Sequence, residues 1–135
     1  MACHRAPAAA LYVPYTVPGE NGSRTDVSWL QVSGGGSGGG DGEAASRPLP
    51  TLRVDSPALL NFSLQPYTTE DLAIATHHSE LEAHPRDFFC LNLDAFLMGV
   101  GGDDSWTACV HEQHMLPPER PYEFEFVLSF PSFEA

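Results

Sequence analysis

The sequence predicts an all-β protein, an antiparallel β-sandwich with one short helix. Three observations predict it. Several short runs alternate apolar with polar residues, the period of a half-buried strand. Clusters of Gly, Pro, Asn and Asp separate those runs and mark turns. A single stretch, Thr68-Thr69-Glu70-Asp71, carries helix-start chemistry: a hydroxyl cap followed by acids in the first turn.

Taken in order, residues 1–10 are Ala-rich and read as a disordered lead-in. Residues 11–18 are aromatic and β-branched, but Pro14 and Pro18 interrupt them, so this is an extended segment or an edge. Glu20-Asn21-Gly22 is a turn of the Asn-Gly type. Thr25, Val27 and Trp29 then alternate with Asp26 and Ser28, with Leu30 and Val32 following, which makes a short strand. Residues 33–50 break the composition: a Gly-rich run, then Asp, Glu, Ala and two Pro. This is a flexible insert with no packing capacity.

Leu52 and Val54 mark a second short strand. Leu60, Phe62 and Leu64 share one face of a third. The helix follows, a short one of about two turns carrying Leu72, Ala75 and Thr76 and ending near His77 or His78. Phe89, Leu91, Leu93 and Ala95 alternate through a mostly buried strand, and another strand is expected near 108–114. The last alternation is the cleanest. Tyr122, Phe124, Phe126, Leu128 and Phe130 share one face, with Glu123, Glu125 and Ser129 on the other. About six or seven strands suggest a sandwich or part of one. Residues 11–130 read as one domain and 131–135 as a tail.

Composition narrows the function. Net charge is −12, and all six basic residues are Arg. No basic patch can be assembled, which argues against nucleic acid and against an anionic membrane surface. Cys3, Cys90 and Cys109 are odd in number and irregular in spacing. They read as two buried small side chains and one terminal thiol in a reducing, cytoplasmic setting. The N-terminus lacks a signal-peptide apolar region, and no apolar run reaches about 18 residues.

Three groups could carry chemistry. His77, His78, His84, His111 and His114 lack a zinc-ligand pattern: adjacent histidines diverge on a helix, and i,i+3 histidines diverge on a strand. The acid pairs Asp103-Asp104 and Glu123/Glu125 read as a turn cap and an exposed strand face. No nucleophile elbow and no phosphate loop is present. The third group is the stretch 98–106. Its residues Gly101, Gly102, Asp103 and Asp104 favour a tight, unusual turn, and it ends in Trp106. That indole is either a core plug or an exposed stacking platform for an apolar ligand face, such as the C–H face of a sugar.

Two segments carry a family resemblance. Pro14-Tyr15-Thr16-Val17-Pro18-Gly19-Glu20-Asn21-Gly22-Ser23-Arg24-Thr25-Asp26-Val27-Ser28-Trp29 resembles the P-x-E-N-G-x-R-x-D-x-x-W stretch of family-two glycoside hydrolases. Asn61-Phe62-Ser63-Leu64, Tyr67-Thr68-Thr69-Glu70-Asp71-Leu72 and Gly99-Val100-Gly101-Gly102-Asp103-Asp104-Ser105-Trp106 resemble the rest of the same module. The match is to the C-terminal small-chain domain of the large β-galactosidases, with 33–50 as an insertion. The resemblance implies part of a galactose-mutarotase-like β-supersandwich. It implies that the catalytic glutamates lie on a separate barrel, and that the family's Mg and Na are bound through residues outside this region. It assigns Trp106 to the wall of the sugar pocket and Gly101, Gly102, Asp103 and Asp104 to the supporting loop. The implied partners are a β-galactoside, the barrel-bearing remainder of the enzyme and further copies in a homo-oligomer. The chain alone is then expected to be inactive. A free-standing carbohydrate-binding module and a non-functional gene fragment are the alternatives.

Overall fold

The computed structural model describes residues 2–13, 22–34, 50–83, 86–104, 106–107 and 109–131. The Pro14 and Pro18 interruption, most of the Gly-rich insert, His84 and the residues from 132 onward lie outside the described residues. The elements are β1 (Arg24–Val32), β2 (Leu52–Gln65), α1 (Thr69–Ile74), α2 (His78–Glu82), β3 (Cys90–Asp94) and β4 (Val127–Ser129). Single 3-10 turns stand at Ala8–Ala10 and Glu112–His114. Every strand pairing is antiparallel, as the alternating pattern predicts. No helix among the described residues is long and apolar enough to cross a membrane.

β2 is the axis of the sheet. β1 pairs along one of its edges, from Arg24 opposite Phe62 to Val32 opposite Leu52. β3 pairs with Asn61 to Gln65 and β4 with Arg53 to Asp55. An edge can hold one partner at a time, so β3 and β4 share the edge opposite β1, one at each end. The sequence divides β2 into two strands; the chain forms one of 14 residues. Pro57 looks like a break because it cannot donate to a ladder. It falls where the β1–β2 register jumps from Asp55 to Leu60, a bulged region in which the missing N–H costs no ladder bond.

A second irregularity sits at Asp26, whose φ of 59° is unusual for a residue with a side chain. It coincides with the register shift between Arg24 and Val27. Aspartate tolerates this geometry better than most residues. The two shifts change the inside–outside pattern. Val27, Leu30 and Val32 pack inward, whereas Trp29, expected on the face of Val27, points to the other face. There the Arg53 guanidinium lies 4.6 Å from the Trp29 ring centre and is paired with Asp55, its Nε donating to Oδ2 at 2.7 Å.

The core is small. Leu30, Val54 and Leu60 form its buried centre, flanked by Leu52, Phe62, Leu91, Leu93 and Phe124. α1 begins as its sequence dictates: Thr68 Oγ1 accepts the Asp71 N–H, and the Thr68 N–H donates to Asp71 Oδ2, both at 3.0 Å. The helix stops at Ile74, earlier than expected, and α2 makes a second short helix that buries Leu81. Tyr12 closes this end, its hydroxyl 3.1 Å from His78 Nδ1 and its ring edge-on to Tyr67.

Two expected strands change. Residues 109–111 are irregular and lead into the turn at Glu112–His114, because this segment's backbone faces the glycine loop and not a ladder. The long C-terminal alternation contracts to β4, since β2 offers it only Arg53 to Asp55 before the bulge. Phe124 reaches the core, while Leu128 and Phe130 stay 51% and 66% exposed, leaving an apolar face on this side.

Candidate functional site

The loop after β3 runs against the segment that follows it and is tied to it at three places. The Gly99 N–H donates to the His114 carbonyl at 2.8 Å. Gly102 lies so close to Cys109 that a Cβ there would stand 2.5 Å from the Cys109 carbonyl oxygen and 2.6 Å from its sulfur. Asp103 Oδ1 is 2.8 Å from His111 Nε2. Gly101, by contrast, faces open space. The glycine run therefore holds both a position where a side chain cannot fit and one where it could.

Asp104 organises the far end of the loop. Its Oδ1 accepts the backbone N–H of Trp106 at 2.8 Å and of Thr107 at 2.7 Å. The Thr107 hydroxyl lies 2.9 Å from Oδ1 and 3.0 Å from Oδ2. The N–H of Trp106, then that of Thr107 and its hydroxyl, hold this carboxyl below the ordinary carboxylate range. The same hydroxyl is 2.9 Å from Cys109 Sγ. With the Asp103 N–H, it draws the thiol below the usual thiol range. Cys90 and Cys109 are half-buried, not buried as small core side chains.

Trp106 stands at the end of this braced turn and is 90% exposed. It is no core plug in this fold. An indole of that size left in water on a loop fastened at both ends offers a flat apolar face at a defined position.

Thr107 and Cys109 are further residues that brace this loop. The signal for Thr107 was its spacing of three from Asp104, which lets a carboxylate and a hydroxyl close a turn. His111, exposed at the surface, also fastens Asp103. Among the described residues His78 sits between Tyr12 and Glu82, while His111 pairs with Asp103. Among the described residues no three His, Cys, Asp or Glu side chains gather to hold a metal ion.

Comparison with known proteins adds the family. A family model described as β-galactosidase small chain matches residues 1–128. The chain belongs to the β-galactosidase small-chain family. A β-galactosidase of Bifidobacterium adolescentis, BgaC, is 38% identical over 108 residues, covering 80% of this chain and 9% of the relative. A β-galactosidase of Vibrio cholerae is 37% identical over 118 residues, covering 87% of this chain and 9% of that protein. A β-galactosidase small subunit of Latilactobacillus sakei is 42% identical over 88 residues, covering 65% of this chain and 26% of the subunit. The chain thus spans about a tenth of the length of the long curated relatives it matches.

Proposed function

We propose that this chain completes the sugar pocket of a β-galactosidase, with Trp106 as the platform under a terminal β-D-galactoside. The observation that carries the reading is the 90% exposure of Trp106 on a loop braced by Asp104, within a β-galactosidase small-chain sequence. One face of galactose presents C–H groups, and an indole offers a matching apolar surface while the sugar hydroxyls bond elsewhere.

Hydrolysis of a glycosidic bond by this family's route needs two carboxylates flanking that bond. In this reading they are the barrel glutamates of the remainder of the enzyme. Asp103 and Asp104 are committed to His111 and to the turn, and so are supports. Magnesium and sodium belong to that remainder too in this reading, as the family resemblance implies.

Two measurements test the reading. The first is galactose titration followed by indole fluorescence. The Trp106→Ala variant retains Trp29 as its remaining indole and is expected to lose the response. An identical response in both forms would sink the platform role. The second mixes the chain with a separately expressed barrel-bearing chain of a relative. Activity above either chain alone is expected, while hydrolysis by the lone chain would overturn the assignment of the chemistry to the barrel.

A further inference from the structure

Asp103 and Asp104 are neighbours that hold different things. Asp104 accepts the N–H groups of Trp106 and Thr107, two and three positions on, and so shapes the turn from within. Asp103 reaches out of the loop, with Oδ1 2.8 Å from Nε2 of His111, eight residues further along. His111 is itself well placed. It precedes the 3-10 turn Glu112–His114, and its carbonyl accepts the His114 N–H at 2.9 Å. The His114 carbonyl in turn accepts the Gly99 N–H at 2.8 Å. The imidazole is therefore carried by a turn already bonded to the start of the glycine loop.

We infer that His111 is a positioning residue for the Trp106 platform: its Nε2–H, donated to Asp103, fixes the middle of the loop so that Asp104 can aim the indole. This role rests on the sugar-pocket reading above, since only a ligand at the indole makes its aim matter. Bonds inside the turn set its shape but not its place, because Asp104 and the residues it holds can move together. The Asp103–His111 bond supplies the place, one residue before Asp104. Among the described residues no other ion pair joins the loop to the segment after Cys109. Packing does not substitute for it: Asp103, Asp104, Trp106 and His111 are all exposed, and Gly101 faces open space. An exposed pair adds little to global stability. Its removal should therefore cost order and affinity at Trp106 and leave the fold alone. The nitrogen used makes the role specific. Nε2 is the ring nitrogen farther from the backbone, so a Gln amide can bring an N–H to the same place, whereas the shorter Asn amide reaches only about as far as Nδ1.

The test uses the full chain as wild type, H111A, H111Q and H111N. The heteronuclear NOE of the Trp106 amide reports the order of the platform with no sugar present, and galactose titration by indole fluorescence reports its use. H111A is expected to lower the Trp106 NOE and to bind galactose about two- to fivefold more weakly. Its Leu60 and Leu64 amides and its urea midpoint should match wild type. H111Q should restore both readouts and H111N neither. An unchanged Trp106 NOE in H111A overturns the role and leaves the sugar pocket standing. So does galactose binding that is measurable and equal in wild type and H111A, a fall in the H111A urea midpoint, or rescue by H111N equal to that by H111Q. If the NOE falls in H111A and returns in H111Q while galactose leaves wild-type fluorescence unmoved, His111 does order the loop, and it is the sugar-pocket reading that is overturned.

Discussion

The backbone N–H of Trp106 donates to Oδ1 of Asp104 at 2.8 Å, so the residue proposed as the sugar platform is aimed by the carboxylate two positions before it. Under the proposed function Asp104 is a positioning residue, its Oδ1 taken up by the Trp106 and Thr107 N–H groups. Asp104→Ala is expected to weaken galactose binding by about three- to tenfold while leaving the urea midpoint nearly unchanged, because the loop is exposed and outside the core. Asp104→Asn, which keeps one acceptor oxygen, should recover part of the affinity. Fluorescence titration and urea melts of the same samples check both. Equal affinity in all three forms would remove Asp104 from the site.

Two neighbouring glycines separate fit from mere flexibility. At Gly102 an added methyl group meets the Cys109 backbone, whereas at Gly101 it meets nothing. Gly102→Ala should displace the loop from Cys109 and lower galactose affinity. Gly101→Ala should bind like wild type. A pair of binding isotherms decides, and equal loss in both variants would mean that general loop stiffness matters and the Gly102–Cys109 contact does not.

The fold is exposed to a single core substitution. Leu60 is fully buried and belongs to a centre of only three buried side chains. Leu60→Ala should cost about 2–5 kcal/mol through lost burial and an unfilled cavity. With an m-value of about 1–3 kcal/mol/M in urea, the midpoint should fall by about 1 M or more.

The helical connection gives a smaller, local effect. Thr68 caps α1 reciprocally with Asp71. Thr68→Ala should destabilise by about 1 kcal/mol, and Thr68→Ser should restore most of it. Thermal melts monitored by circular dichroism would show the difference.

Acid should release both aspartate devices. Asp71 is held below its ordinary value of 3.8 first by the Arg86 guanidinium and then by the Thr68 N–H. Asp104 is held below the same value by the Trp106 and Thr107 N–H groups. A carboxyl with a depressed folded value contributes stability that is present above its unfolded value and is lost as pH falls through the folded one. These contributions should therefore be constant from neutral pH to about pH 5, begin to decline as pH falls past the unfolded value of about 4, and be gone only below the depressed folded values. Asp71→Asn should flatten the stability profile in that acidic window, as read by urea midpoints at stepped pH; an unchanged slope would exclude the Arg86 pair as a source.

Much of this fold is legible in local sequence. The Leu60, Phe62 and Leu64 alternation lies in a strand, Thr68 caps a helix, and Leu91 and Leu93 lie in β3. These features depend on period and on short-range hydrogen bonds, which neighbouring residues already specify. What local pattern misread depends on partners. Pro57 reads as a strand break until the bulge beside it is seen, and Trp29 changes face because two register shifts intervene. The alternation from Tyr122 to Phe130 could have made a long strand, yet only Val127–Ser129 meets a ladder.

The chain's own order of residues determined that it is antiparallel β, acidic, devoid of a basic surface, and in possession of a Gly-Asp turn ending in tryptophan. Composition and spacing carry those properties wherever the chain goes. Only the tertiary structure decided that Trp106 faces water, that Gly102 rather than Gly101 touches the return segment, and that His111 and Thr107 brace the two aspartates. Exposure and bracing belong to pairs of segments, and a pair exists only after the return segment from Cys109 has folded back along the loop.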